Sequence, residues 1–375
     1  MGNGDETPKQ QAKKIRSLYR FKLPGGGIRP GIVLLILGVL LAGLCICSIP
    51  GRWGFAEAYS VIFKKLLGQI PDWWNEAGRF VFLTELTDEE VISKSLTLYY
   101  LPRVAGAVLV GASLAAAGGV YQGIFQNPLV SPDLLGASAG AAFGGALAIF
   151  MAWGGIQSIL VAFAFGMLAV MIVYMISLAS GIARENQTLT LLLAGVMVSS
   201  LFHAGINMLK AFVPDDNTLP SLTFWLMGAI SPGFGLRHLS YIVIPVLIGL
   251  LMLFILRWKI NLLTVGEDEA KSMGVNPVLV RGLAILAATL VTSASVAVCG
   301  TIGWVGLVIP HFVRKLIGSD YRVLLPASMI VGGMAVLLLD NLARLSNPVM
   351  PLGVYTGLVG VPFYLVLLLG GRRQL

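Results

Sequence analysis

The longest uncharged runs of the sequence constrain its fold more than any other feature. No Asp, Glu, Lys or Arg lies among the 50 residues between Asp133 and Arg184, and none lies among the 29 residues between Arg103 and Asp133. A helix that crosses a bilayer needs about 20 apolar residues, so these runs predict membrane-spanning helices. Only 12% of the residues are charged, whereas an average soluble domain has about 25%. The composition therefore excludes a soluble globular protein.

Dividing the uncharged runs by the length of one helix predicts an all-α membrane protein with about ten transmembrane helices. The run after Asp133 is too long for one span, and the Trp-Gly-Gly at 153–155 is its expected break. Residues 217–236 are apolar but contain Pro220 and Pro232, which predicts a short helix that does not cross. The ten expected spans lie within 30–51, 104–132, 134–152, 156–183, 186–209, 238–256, 282–313, 322–340 and 352–369, where 282–313 holds two spans separated by the glycine-rich turn GTIGWVG at 300–306.

Basic residues predict the orientation. Threading ten spans from a cytoplasmic N-terminus places both termini and most basic residues inside, in agreement with the positive-inside rule. We expect a basic N-terminal arm at 1–30, a transmembrane domain at 31–371 and an extracytoplasmic loop at 52–95. The net charge of +8 then reflects anchoring at membrane lipid, and nucleic acid is not an expected partner. The inside residues are Arg184, Arg257, Lys259, Lys271, Arg281, Arg314, Lys315, Arg322, Arg372 and Arg373.

Motifs for nucleotide binding and metal catalysis are missing from the sequence. It has no G-x-x-x-x-G-K-[ST] phosphate loop and no H-E-x-x-H pair. Asp340 is the one carboxylate near the core of an expected span, whereas proton-coupled carriers commonly use several buried ionisable groups. We therefore expect an energy source outside the chain, with no catalytic residue, metal site or cofactor of its own. The alternative is an ion-coupled secondary transporter that acts without an ATPase.

The loop at 262–277, LLTVGEDEAKSMGVNP, is a long polar connection on the expected cytoplasmic side. Its propensities predict a short helix that begins near Glu267, where acidic residues favour the helix dipole, and ends at Gly274. Such a helix either docks a soluble partner or forms an ordinary surface turn.

Six distinctive strings follow one another between residues 96 and 371. They are LPRVAGAVLVGASLAAAGGVYQGIFQNPLVSPDLLGASAGAAFGGALA at 101–148, LLLAGVMVSSLF at 191–202, FWLMGAI at 224–230, GEDEAKSMGV at 266–275, GTIGWVGLVIPHFVRKLIGSDYRVLLPAS at 300–328 and DNLARL at 340–345. In this order they resemble the FecCD/BtuC-type permease family, which imports iron-siderophores, haem and cobalamin with an ATP-binding cassette (ABC) partner. The arm at 1–30 and the loop at 52–95 do not share the resemblance.

The resemblance implies a type II ABC importer permease fold and a homodimer of ten-span subunits. Each subunit would rest on one ABC ATPase subunit, which binds ATP and Mg, and a periplasmic or lipid-anchored binding protein would deliver the substrate. The expected location is the cytoplasmic (inner) membrane of a bacterium or archaeon. Siderophore, haem and cobalamin importers share these motifs, so the sequence does not distinguish among the three cargoes.

The resemblance also implies roles for individual residues. Arg103 and Arg344 fall on basic positions that receive acidic groups of the binding protein, and a third such position is occupied by Tyr100. The alternatives are headgroup snorkelling or, for Arg344, an i,i−4 pair with Asp340. In the family the loop between spans 6 and 7 couples to the ATPase, and its matching residues here are Gly266, Glu267, Glu269, Ala270, Met273 and Gly274.

Three polar residues in the fifth expected span, His203, Asn207 and Lys210, follow i, i+4, i+7 spacing and share one helical face. A polar stripe in a span faces a cavity or a partner helix more often than lipid. Span 5 borders the central pathway in the family, so the stripe either lines the translocation pathway or hydrogen-bonds a neighbouring helix. One histidine does not hold a metal ion.

Overall fold

The computed structural model describes residues 30–48, 96–180, 187–213, 215–230, 234–346 and 350–370. These residues form helices and no strand. The predicted loop at 52–95 and the predicted arm, apart from Pro30, lie outside them. The α-helices are α1 Pro30–Ser48, α2 Leu101–Ile124, α3 Ala137–Phe150, α4 Ile156–Ala179, α5 Gln187–Ala211, α6 Thr218–Leu226, α7 Leu236–Val265, α8 Glu267–Ser272, α9 Pro277–Cys299, α10 Val305–Ile317, α11 Tyr321–Ser346 and α12 Leu352–Gly370.

These helices fall on the expected spans, with α6 and α8 as the two predicted short helices between them. Six helices of the described ranges, α2, α4, α5, α7, α9 and α11, are long and apolar enough to cross a bilayer on their own. Helices α3 and α10 have 14 and 13 residues and span only about 20 Å at 1.5 Å per residue. The number of ten crossings and the cytoplasmic termini therefore stay predictions.

Helix α7 is longer than the predicted sixth span, which ends at Leu256. Helix α7 continues through Arg257 and Lys259 to Val265, so the first residues of the 262–277 loop are helical. The 30 residues of α7 extend to about 45 Å, which is longer than the apolar core of a bilayer. The two charged residues can therefore lie in the part of the helix that extends beyond the apolar core. The Arg257 guanidinium lies 3.6 Å from the ring centre of Phe254, one turn earlier.

Helix α2 is the central helix of the bundle and contacts α7, α9, α10 and α11. Every residue from 110 to 125 is buried. Glycines permit this packing: a Cβ on Gly118 would collide with the carbonyl oxygen of Gly306 in α10, and one on Gly111 with that of Gly332 in α11. Helix association in lipid favours such small residues, because they let backbones approach closely.

Helix α11 connects two ends of the bundle that differ in their polar groups. At its start, Asn261 near the end of α7 donates a hydrogen bond of 2.6 Å to the Asp320 carboxylate. We call this the Asp320 end, and it also contains α8 and the start of α9. Near the other end of α11, Asp340 contacts Arg103 at the start of α2, and Asn341 contacts Ser48 at the end of α1. We call this the Asp340 end.

Candidate functional site

A buried carboxylate binds two arginines at the Asp340 end. Arg103 donates from Nε to Oδ2 of Asp340 at 3.0 Å and from Nη2 to Oδ1 at 2.8 Å, which is a bidentate pair. The Nε of Arg344, one turn after Asp340, lies 3.4 Å from the same Oδ2. Asp340 is only 1% exposed. The three residues, which we call the Asp340 cluster, carry two positive charges and one negative charge.

A hydrogen-bond chain extends the Asp340 cluster to a third helix. Arg344 donates to the side-chain oxygen of Asn341, Asn341 donates to Ser48 Oγ at 2.6 Å, and Ser48 donates to the Leu44 carbonyl at 2.7 Å. The structure thus brings together both arginines that the resemblance places at the docking surface. Their side chains are only 13% and 18% exposed, and the alternative pair of Arg344 with Asp340 is present.

Helix α8 occupies the Asp320 end as the sequence predicts. Gly266 separates α7 from α8 with φ and ψ both at +156°, a conformation that only glycine adopts readily. After Ser272 the chain leaves the helix, and Gly274 has a φ of +78°. The predicted short helix between Glu267 and Gly274 is therefore confirmed, with glycines of positive φ on both sides of it.

The side chains of α8 point in two directions. Ala270 is fully buried, and the Glu267 carboxylate accepts a hydrogen bond from Nη2 of Arg281 in α9. Lys271 donates to Asp268 on the exposed side at 2.8 Å, and this hydrogen bond and the nearby ammonium charge hold the pKa of Asp268 below its usual value. The exposed residues are Asp268, Glu269, Lys271, Ser272, Met273 and Gly274.

Arg281 is the functional candidate that the sequence interpretation missed. The positive-inside count treats it as an anchor at the cytoplasmic surface, yet its side chain is only 7% exposed. Helix α9 starts earlier than expected because Pro277 occupies its first turn and the Asn276 side chain accepts a hydrogen bond from Leu279 N at 3.2 Å. These local signals, Asn followed by Pro, predict a helix start and could have placed Arg281 inside α9.

The polar stripe of α5 lies on an uncovered helix face. His203 and Asn207 are exposed and Lys210 is half-buried. The Asp133 carboxyl group lies within electrostatic range of His203, and Ser199, one turn before it, donates to the Asp133 carbonyl at 3.3 Å. Within the described ranges no side-chain hydrogen bond joins the stripe to a neighbouring helix, so its face is available to a pathway or a second subunit.

A groove between α4 and α9 has a volume of about 1010 Å³, and its lining has no charged residue. Apolar walls of this kind do not orient a polar cargo. Across the described part of the chain, no three His, Cys, Asp or Glu residues come together as metal ligands would. The polar groups that converge are instead those of the Asp340 cluster and of α8 with Arg281.

The sequence matches the FecCD transport family over residues 56–370. The match begins inside the predicted loop at 52–95, so the expectation that this loop departs from the family is wrong from residue 56 onward. That expectation depended on short distinctive strings, which the loop does not contain, whereas the family match extends across it.

Known permeases are similar to this chain over most of their length. It is 40% identical over 276 residues to the molybdate import system permease protein MolB of Haemophilus influenzae, which covers 73% of this chain and 80% of that protein. It is 36% identical over 284 residues to the hemin transport system permease protein HmuU of Yersinia pestis, with 73% and 83% covered.

A solved structure of similar fold supports the same relationship. It shows the inward-facing conformation of an ABC transporter of the metal-chelate type and matches with a TM-score of 0.76 at 33% identity, covering 91% of this chain and 99% of that chain. The family match includes α2, α8 and α11 and therefore both polar ends of the bundle. The chain belongs to the FecCD transport family and is a permease of the ABC importer class.

Proposed function

We propose that this chain is the transmembrane subunit of an ABC importer that moves a metal-containing cargo across the cytoplasmic membrane. The cargo is an iron chelate such as a siderophore complex or haem, or cobalamin, and the molybdate permease among the relatives adds a metal oxyanion to this range. ATP and Mg bind to a separate ATPase subunit. One observation carries the proposal. Two polar sites suited to contact with partner proteins, the Asp340 cluster and α8 with Arg281, lie at opposite ends of one helical bundle.

The Asp320 end faces the cytoplasm in this proposal. Basic residues concentrate at this end, where the last turn of α10 and the first turn of α11 meet, as the positive-inside rule requires. With ten crossings both termini lie on the same side as α8. The basic residues of this end in the described ranges are Lys259, Lys271, Arg281, Arg314, Lys315 and Arg322.

The exposed side of α8 is the proposed contact with the ATPase. Gly266 and Gly274 set its position, Ala270 packs it against the bundle, and Glu269 and Met273 lie on the exposed side. A helix held at the surface in this way transmits a push from a closing ATPase dimer to the spans behind it. Glu267 contributes from within, because its carboxylate turns toward α9.

The Asp340 cluster is the proposed contact with the substrate-binding protein. Arg103 is held by two hydrogen bonds to Asp340, whereas Arg344 makes only the longer ion pair with that carboxylate. The excess positive charge therefore lies nearer Arg344 and suits a carboxylate on the delivered protein. The third position, at Tyr100, offers no charge.

A homodimer would cover the open face of α5. In this arrangement His203, Asn207 and Lys210 line the pathway between two subunits, where polar groups remain hydrated instead of facing lipid. Asp133 lies beside the same face.

Reconstitution tests the proposed function. The chain is purified with the ATPase and binding protein encoded beside it, placed in liposomes, and tested for ATP-driven uptake of a ferric siderophore, haem, cobalamin and molybdate in turn. We expect uptake of one cargo that requires ATP inside and the binding protein outside. Uptake by the chain alone, driven by an ion gradient, would instead identify a secondary transporter.

A further inference from the structure

One ion pair joins the short helix α8 to the long helix α9. Glu267 is the first residue of α8, and Arg281 lies in the second turn of α9. We infer that this α8–α9 ion pair makes Arg281 the positioning residue that carries movement of α8 into the transmembrane bundle. The inference depends on the proposed function, because it assumes that an ATPase moves α8.

The backbone around α8 explains why an additional link is needed. Six residues of helix stand between Gly266 at φ +156° and Gly274 at φ +78°, and glycine gives the chain its greatest conformational freedom. Ala270 holds the centre of α8, supported by a backbone hydrogen bond of 2.9 Å from Val275 to its carbonyl. The α8–α9 ion pair fixes the beginning of the helix, which Ala270 alone leaves free to swing.

Burial makes the link specific. The Arg281 side chain is 7% exposed and that of Glu267 is 34% exposed. A guanidinium removed from water is costly unless its charge is compensated, so loss of the Glu267 carboxylate weakens that compensation. The same geometry shows that Glu267 faces the bundle and is not available as a docking acid for the ATPase.

Helix α9 is suited to pass movement onward. It runs without interruption from Pro277 to Cys299, and all its residues from 291 to 297 are buried. It packs against α2, α4 and α7, including the central helix of the bundle. A displacement of the start of α9 therefore reaches several spans at once, since packed helices shift together instead of deforming locally.

The test compares assembly with coupling in the complete complex of permease, ATPase and binding protein in proteoliposomes. In Glu267→Gln and Arg281→Gln, we expect the ATPase to co-purify normally and ATP hydrolysis to continue. Cargo imported per ATP should fall about tenfold, a typical size for energetic coupling between sites. The exchanged variant Glu267→Arg with Arg281→Glu restores the ion pair and should recover most of the transport.

Two further variants separate a structural role from a coupling role. Arg281→Lys keeps the charge and should retain coupling close to wild type. Asp215→Asn removes an exposed carboxylate that accepts a hydrogen bond from Thr218 between α5 and α6, outside both proposed partner contacts, and should change nothing. Single variants that transport normally per ATP would overturn the inference. An exchanged variant that folds and assembles but does not recover cargo import per ATP would also overturn it. This second result decides the matter even if the single variants fail to fold.

Failure of the proposed function gives a different result. If the wild-type complex shows no ATP-dependent uptake of any of the four cargoes, the importer assignment is wrong. If the wild type transports and all variants transport equally, only the role of Arg281 is wrong.

Discussion

The two polar ends of the bundle differ in charge balance. At the Asp340 end one buried carboxylate faces two guanidinium groups, those of Arg103 and Arg344. At the Asp320 end Glu267 faces one guanidinium, Arg281, and Asp320 pairs with Arg322, so each of these pairs is electrically neutral. The first arrangement leaves a positive charge for a partner to neutralise, whereas the second is complete within the chain.

This difference predicts two kinds of partner contact. A charge excess at the membrane surface attracts an acidic protein, and screening by salt weakens that attraction. In α8, Glu267 pairs with Arg281 and Asp268 with Lys271. The helix therefore offers its shape, one further carboxylate at Glu269 and exposed side chains such as Met273, which is 45% exposed. We therefore expect docking at the Asp340 end to depend on salt more strongly than docking at α8.

The largest effect should come from removing the shared anion of the Asp340 cluster. Asp340→Asn removes the carboxylate that the two arginines share, and breaking a buried ion pair in this way costs about 3 kcal/mol. We expect a clear drop in Tm of the purified subunit in detergent, measured by unfolding followed with a thiol-reactive dye. Arg344→Gln in the same background should recover part of the loss, and an unchanged Tm in Asp340→Asn would show that the cluster is not needed for stability.

A change on the exposed side of α8 should have the second largest effect. Met273→Asp places a charge where we propose an apolar contact with the ATPase, and we expect the affinity between the two subunits to fall about tenfold, the loss of one good interface contact. Affinity is measured by surface plasmon resonance at about 0.05 and about 0.5 M NaCl, because the higher concentration screens exposed charges much more strongly. Ser272→Ala is the matched control, and a loss that disappears at high salt would contradict the comparison of the two ends.

Removing the charge excess at the Asp340 end should have a smaller effect. Arg344→Gln leaves the neutral pair of Arg103 and Asp340 intact, so the fold should be retained. We expect binding-protein affinity to fall by about 1 kcal/mol at low salt, the value of a partly exposed ion pair, and the difference from wild type to shrink as salt rises. Lys259→Gln at the other end should not change this affinity, and an Arg344→Gln variant that docks normally would exclude a role in docking.

Most membrane-spanning helices of this fold could be predicted from the sequence because each one lies in an uncharged run between charged residues. The gaps around Asp133 and the Trp-Gly-Gly break give α2, α3 and α4 in their observed places. The end of α7 could not be predicted in this way, since Arg and Lys are good helix formers and end an apolar run without ending the helix. The length of a helix beyond the membrane leaves no signal in a count of charges.

The sites could be predicted only in part. The resemblance points to Arg103 and Arg344, but the carboxylate that joins them is 237 residues away from Arg103 along the chain. Arg281 likewise lies 14 residues from Glu267, across the turn at Gly274. Pairs that form through tertiary packing have no fixed spacing, so sequence periodicity reveals the helices and not which charges meet.

The smallest effect should come from the surface ion pair of Asp268 and Lys271. Asp268 is bonded to Lys271, which lowers its pKa in the folded state. A lowered folded pKa means that any stabilisation is present above the unfolded pKa and is lost as pH falls through the folded pKa. Both side chains are exposed, so solvent screens the pair, and Asp268→Asn should barely change Tm at pH 7 or its decline between about pH 5 and 3, the range just around an ordinary Asp pKa. A large shift in Tm at either end of this pH range would show that the exposed pair of Asp268 and Lys271 stabilises the fold as a buried pair would. Exposure would then no longer be a reason to assign different roles to Glu267 and Asp268.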